Sequence, residues 1–252
     1  MRRTCYAIPL ILVLLISARG PASAQSRSYP GQADSASRET MTTTTTYDQG
    51  EYLNTWGVDI MISTNGFGLG TFYRREFTPD MFGFVNFSVS EAKDSREIEQ
   101  YDIYGNTTVP GKLNRFMVLP LMFGVQYRLF REDIVDTFRP YVNAAVGPTL
   151  IYMSPFVDLV PQPDGTIAVN QVEFFKSFGR GTSHYTASAY IGFGANFGGE
   201  RSGIFGVNFR YYFTYLLGDG LPSLYDTNTG LLSSTKKDFG GFFITLNVGL
   251  GY

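Results

Sequence analysis

Eight stretches of this chain alternate large apolar residues with small or polar ones at a period of two, and this pattern constrains the fold more than any other feature. Residues 240–252 show it most plainly. Phe242, Ile244, Leu246, Val248, Leu250 and Tyr252 fall on one side; Gly241, Phe243, Thr245, Asn247, Gly249 and Gly251 fall on the other. Period two is the side-chain repeat of a β-strand, here with one greasy face and one wet face. The other stretches are 52–63, 67–77, 81–91, 114–130, 140–152, 185–197 and 204–215. Each is long enough for a tilted strand to cross a bilayer, which takes about 9–11 residues.

Beyond the N-terminus no apolar run reaches the roughly 18 residues that a spanning helix needs. Yet the chain holds 22 Phe, 17 Tyr and 28 Gly. Abundant aromatics and glycine without long apolar runs fit a membrane barrel, in which lipid-facing residues alternate with lumen-facing ones. In hydrocarbon every backbone N–H and C=O must be paired internally, and a closed sheet does this without leaving an edge. A secreted soluble barrel would turn its greasy faces inward. Strands with faces as apolar as those of 114–130, 204–215 and 240–252, set against glycine and asparagine, suit the inside-out version. The fold expected is therefore all-β: an eight-stranded antiparallel closed transmembrane barrel of up-and-down meander topology.

The connections alternate in length. Residues 92–113, 153–184 and 216–239 are long and polar; 78–80, 131–139 and 198–203 are short. Outer-membrane barrels pair long extracellular loops with short periplasmic turns in this way. The first connection, 64–66, falls on the long-loop side but is a tight hairpin. Lys93, Lys176 and Lys236 lie in the long connections and are expected to be open to proteases.

An interior of this strand count is just wide enough for side chains to fill. The inward phase assigns Asp59, Arg74, Glu76, Gln126, Arg128, Asn143, Asn196, Asn208, Arg210 and Asn247 to it. Buried charges must be paired, so a salt-bridged polar plug is expected; the functional alternative is a narrow charge-lined conduit. Phe77, Phe82, Tyr127, Phe130, Phe197, Phe205 and Tyr252 lie near the short turns and suit an interfacial aromatic girdle.

Residues 1–24 have a basic start at Arg2 and Arg3, a short apolar core and an Ala-Ser-Ala end, which makes them a secretory signal peptide cleaved between Ala24 and Gln25. Its loss removes Arg2, Arg3 and Arg19 and takes the formal net charge from −2 to −5. The remainder has no cysteine, so neither disulfides nor thiolate metal sites are available. An acidic exported chain also argues against nucleic acid as partner. Residues 25–50, rich in Ser and Thr, read as a disordered leader; the barrel takes 51–252.

The terminal stretch, with alternating hydrophobics running back from Tyr252, resembles the C-terminal signature of bacterial outer-membrane barrels. FMVLPLMFGVQYRLF (116–130) followed by RPYVNAAVGPTL (139–150) is similar to a recurring strand pair in small outer-membrane barrel proteins: the relatives of the OmpA membrane domain, OmpX and OmpW. The resemblance implies a Gram-negative-type outer membrane and both termini of the mature chain in the periplasm. It also implies insertion by periplasmic chaperones and the barrel-assembly machinery, with Phe242, Ile244, Leu246, Val248, Leu250 and Tyr252 read as the assembly signal. The partners expected are outer-membrane lipids and lipopolysaccharide, the barrel itself being a monomer. Because the sequence stops at Tyr252, the peptidoglycan-binding domain of longer OmpA-like proteins is not expected.

His184 is the only histidine. Lipid A-modifying barrel enzymes use a histidine with a serine, and Ser183, Thr186 and Ser188 lie close by in sequence. No acidic residue is near enough in sequence to orient the ring as a base. Asp94, Glu97, Glu99 and Asp102 with Lys93 and Arg96 match no EF-hand spacing and read as a solvated mixed-charge loop. No catalytic, metal or cofactor site is expected. The role expected is non-enzymatic, structural or surface-contacting; a passive solute channel of the OmpW kind and a lipid A-modifying enzyme stand as alternatives.

Overall fold

A computed structural model describes residues 54–101, 103, 107–131, 134, 138–163, 167–197, 203–227 and 229–252. The signal cleavage at Ala24 and Gln25 and the leader 25–50 lie outside these residues. Eight long strands form the wall: β1 (Asn54–Ser63), β2 (Gly66–Thr78), β3 (Met81–Ala92), β4 (Asn114–Arg128), β5 (Phe138–Pro155), β6 (Thr182–Phe197), β7 (Ile204–Thr214) and β8 (Gly241–Gly251). Each pairs antiparallel with its sequence neighbour, and β1 pairs with β8, so the sheet is a closed up-and-down barrel. The seam runs in register from Thr55–Gly251 to Ser63–Phe243. It ends in a reciprocal backbone pair, Asn54 N to Tyr252 O at 3.2 Å and Tyr252 N to Asn54 O at 3.0 Å.

The alternation in sequence becomes an inside and an outside. Outward along β4 stand Leu121, Phe123, Val125 and Tyr127, all exposed; inward between them stand Met122 and Gln126, both buried. The same holds on β1, where Trp56, Val58 and Ile62 are exposed and Thr55, Asp59 and Met61 buried. Rows of outward residues cross the strands, as in Val125–Ala144–Ile191–Tyr211–Phe242. The exterior is thus an apolar band and the core is the lumen, the reverse of a soluble barrel.

The β1–β2 connection is the tight hairpin expected, shortened to two residues because Gly66 already pairs in β2; Gly66 has φ 142°, a backbone that only glycine adopts freely. The long connections are more ordered than polar composition suggests. Each carries a two-stranded hairpin: Gln100–Tyr101 with Thr107–Thr108, Val157–Pro161 with Ile167–Gln171, and Leu221–Tyr225 with Leu232–Lys236. Strands β5 and β6 also run beyond the expected 152 and 185, to Pro155 and back to Thr182. A short helix, α1 (Phe174–Phe178), precedes β6.

Phe82 departs from the girdle expected at the short turns. It is 5 % exposed and faces the lumen, whereas Phe77, Tyr127, Phe130, Phe197, Phe205 and Tyr252 are exposed. Its neighbours explain this: Phe82 lies directly across from Gln126 and Glu76, both on the inward phase.

The outward phase of β4 sets a test. Leu121→Arg should cost about 2–4 kcal/mol of folding free energy in lipid vesicles, as expected for arginine near the bilayer midplane. Thr64→Arg, at the exposed tip of the β1–β2 turn, should change it by less than about 0.5 kcal/mol. Urea titration of vesicle-embedded protein reads both.

Candidate functional site

The lumen is filled in layers. Nearest the short turns lies a polar layer centred on Asp59, which is fully buried. Its carboxylate accepts from Arg210 Nη1 at 3.0 Å, Asn86 Nδ2 at 2.7 Å and Asn247 Nδ2. Asn247 faces Asp59 across the β1–β8 seam, while Arg210 reaches it from β7, the strand beyond. Gly192 makes room, since a Cβ there would lie 2.5 Å from Asn143 Oδ1 and 3.1 Å from Arg210 Cγ. Arg210 also lies over the Tyr190 ring at 5.3 Å, and Arg74 over Phe72 at 5.2 Å.

Of the residues assigned to the lumen, Asp59, Arg74, Gln126, Asn143, Asn196, Asn208, Arg210 and Asn247 are all buried inside the barrel. Glu76 and Arg128 are only half-buried, at the turn end, and each has interaction partners. Asp59 and Arg210 form an ion pair in the polar layer, with both side chains buried, and the amides of Asn86 and Asn247 bond the same carboxylate.

The next layer is apolar. Met61, Met122, Ala145, Tyr190, Tyr212 and Phe243 form an apolar cluster, with Phe84 packed against it. Tyr190 and Tyr212 lie 4.8 Å apart, and Tyr212 meets Phe243 edge-on at 5.4 Å. Above it, Thr149 donates to Ser188 at 2.6 Å, and Ser188 shares a hydrogen bond with Thr214 at 2.7 Å. A second apolar cluster closes the loop end: Ala92, Phe116, Val118, Ile151, Leu216, Leu221 and Phe239. The expectation of a polar plug therefore needs correcting: half of the filling is aromatic and aliphatic. Among the described residues the lumen holds cavities of about 10 Å³, one beside Arg74, Asn86 and Arg210, another beside Ser88, Tyr212 and Thr214. Each suits one water. Asn86 Oδ1, Asn143 Oδ1, Tyr190 OH, Thr245 Oγ1 and both amide atoms of Asn208 have no protein partner, which is where water would bond.

Over the loop end the connections join into a cap. Leu113 N donates to Ser223 O at 2.9 Å, Asn114 Nδ2 to Pro222 O at 2.8 Å, and Phe156 N to Leu113 O at 2.8 Å. Asp94, 4 % exposed, accepts from Ser223 Oγ at 2.6 Å and from Arg96. Lys112 pairs with Glu97 at 2.8 Å with both side chains buried. Lys236 donates to Lys93 O at 2.9 Å. The mixed-charge loop is thus not simply solvated, because Asp94 and Glu97 tie it to neighbouring connections. Lys236 is likewise buried rather than open to proteases, whereas Lys176 is exposed. Burial pushes the Asp94 carboxyl up, but hydrogen bonds from Ser223 and Arg96 outweigh it and hold the group below its ordinary value. Burial holds the Lys236 ammonium below its ordinary value, against the pull of Asp94, Asp238 and Glu97.

His184 is half-buried, and its Nε2 lies 3.2 Å from Thr182 Oγ1. Ser188, the nearest serine of the same phase, is engaged with Thr149 and Thr214. Among the described residues no group of three or more His, Cys, Asp or Glu side chains is placed to hold a metal ion.

No family model matches this chain, and no curated protein matches it. Among solved structures it is similar to Neisserial surface protein A, at 11 % identity over 81 % of this chain and 97 % of that one, with a TM-score of 0.44. It is also similar to the N-terminal β-barrel domain of Pseudomonas aeruginosa OprF, at 13 % identity over 81 % and 100 %, with a TM-score of 0.41. A third is Ail, the attachment invasion locus protein of Yersinia pestis, at 15 % identity over 81 % and 97 %, with a TM-score of 0.37.

Two tests follow from this geometry. Asp59→Asn strands a buried guanidinium and should cost about 3–5 kcal/mol, while Asp59→Asn combined with Arg210→Met should recover part of that loss. Equilibrium unfolding of the single and double variants reads the difference. In the cap, the depressed Asp94 group contributes stability that is complete above the unfolded carboxylate pKa and is lost as pH falls through the lower folded value. Protonated Lys236 opposes the fold, and that opposition lifts as pH rises through its lowered folded value toward the unfolded one. Amide exchange across 221–236, corrected for intrinsic rates, should therefore accelerate below about pH 4.

Proposed function

We propose that this is an integral outer-membrane barrel with a sealed lumen, whose working surface is the cap of folded loops. The observation that carries this reading is the filling of the lumen. Two apolar clusters and a buried ion pair occupy the bore, and the cavities beside Arg210 and Tyr212 are water-sized. Such an interior rigidifies a wall; it does not pass solutes. The apolar exterior supports a bilayer as its surroundings, and the sequence's export signal with a closed barrel favours the outer membrane over any other. An even strand count returns both ends of the barrel to one side, which we assign to the periplasm, with the hairpin-bearing connections outside the cell.

The cap supports a contact role. Its backbone is tied down by bonds between connections, yet it presents apolar side chains to solvent, among them Ile98, Tyr101, Ile103, Leu231 and Leu232. Ordered loops with exposed apolar residues suit binding more than disordered loops would. The role is non-enzymatic in this proposal, and the chain stands with the OmpA membrane domain, OmpX and OmpW group. Its partners are outer-membrane lipids and lipopolysaccharide in place, and the assembly machinery, reading Phe242 to Tyr252, on the way there.

Planar-bilayer recording tests the proposal. The purified full chain, inserted as judged by heat-modifiable mobility, should give no discrete conductance steps. Steps of fixed size would favour the solute-channel alternative. Loss of an acyl chain from lipid A when the protein is present would favour the enzyme.

A further inference from the structure

Helix α1 lies on the outside of the barrel, not in its mouth. Arg115, Tyr152 and Ser154 all have the outward phase, and Arg115 and Ser154 face each other across β4 and β5. These three side chains hold the helix. Arg115 Nη1 donates to Val172 O at 3.3 Å and to Ser177 Oγ at 3.4 Å. The Tyr152 hydroxyl donates to Phe178 O, and their rings stack at 5.9 Å. Ser177 is fully buried against the wall, beside Ser154. The Arg115 guanidinium also covers the Phe174 ring at 5.5 Å. A helix of one turn is unstable alone, so the wall dictates its position.

The wall-facing side is thus accounted for, and the opposite side is not polar. Phe175 is 85 % exposed and Phe174 47 %. Glu173 and Lys176 pair with each other at 2.9 Å on the solvent side. The height of α1 on the wall says what covers the phenylalanines. Reading across the strands, the row Glu91–Met117–Tyr152–Ser183 is where outward polar residues begin. The row below, Leu119–Leu150–Tyr185, is apolar and belongs to the band. Val142 pairs with the girdle residue Tyr127, which sets the lower edge; from there to Tyr152 on β5 is about ten residues, and at about 3.4 Å each and a tilt of about 40° that spans roughly 25 Å. This matches the full height of an apolar band, so its upper edge falls at Tyr152, the residue that carries α1. Phe174 and Phe175 continue the lipid-facing surface at that edge.

We propose that α1 is an interfacial collar, its two phenylalanines inserted at the headgroup–acyl boundary of the leaflet on the loop side, where it fixes the depth at which the barrel sits. The occupant of this face is lipid, because the face is continuous with the lipid-facing band and sits where aromatic side chains favour the interface. The inference rests on the transmembrane reading above, and its test separates the two.

Trp56 is the only tryptophan, so Trp56→Phe combined with Phe175→Trp places a single reporter on the collar. Ser95→Trp in the same background gives the solvent value, since Ser95 is exposed in the cap. The full chain is folded into phosphatidylcholine vesicles, with insertion checked by heat-modifiable mobility. The collar reporter should emit to the blue of the Ser95 reporter and be quenched at least twofold more by lipid brominated near the headgroup than by lipid brominated near the chain end. Emission matching the Ser95 reporter, with no quenching by either lipid in inserted protein, overturns the collar and leaves the barrel reading intact. A blue shift that depends on protein concentration but not on bromine would assign the face to a second copy and also overturn it. Failure to insert would overturn both readings.

Discussion

A backbone group inside a hydrocarbon layer cannot leave its hydrogen bond unmade, and every other feature of this barrel follows from that constraint. The sheet has to close, and it closes where β1 meets β8, the first and last strands of the wall. The most deeply buried charge stands at that seam. Asp59 on β1 faces Asn247 on β8 and is bonded to it, to Asn86 on β3 and to Arg210 on β7. One carboxylate therefore ties four strands across the closure. A buried ion pair is weak evidence for net stability, but a mismatched seam would leave Asp59 and Arg210 buried and unpaired, which is far more costly. The in-phase closure seen here is one that satisfies the pair.

Above that pair the lumen turns apolar, and the change bears on function. Water-filled bores need continuous polar lining, whereas here Tyr190, Tyr212 and Phe243 crowd one level and Phe116 and Phe239 another. The cap then covers the end of the bore. Its bonds run between connections far apart in sequence, such as Ser223 to Asp94 and Arg96 to Thr235. Hydrogen bonding thus extends from the wall into the loops, and the exposed apolar residues of the cap sit on an ordered base.

Much of the wall was legible in the sequence, because period-two alternation specifies which face each residue takes and long or short connections follow the two ends. Asp59, Asn208 and Asn247 could be placed inside from parity alone. What parity could not show was the aromatic part of the filling. Tyr212 lies between Tyr211 and Phe213, and Tyr190 lies beside Ile191, so neither contrasts with a large neighbour on the other face. Phe82 was misplaced for a different reason: nearness to a turn suggested an interface when its phase pointed inward. The cap and α1 were also hidden. Their order comes from contacts between separate connections and from Arg115, Tyr152 and Ser154 on the wall, and local composition, rich in polar residues and glycine, carries no trace of such contacts.

The central claim is that the wall is lipid-facing outside and dry and filled inside. A spin-label accessibility scan along β4 in bilayers tests it most directly. Labels at Leu121, Phe123, Val125 and Tyr127 should be reached by oxygen and not by a water-soluble nickel chelate. Labels at Met122 and Gln126 should be immobile and reached by neither. Nickel access at Met122 and Gln126 would reveal an open aqueous bore, and oxygen access with no period of two would contradict the barrel wall itself.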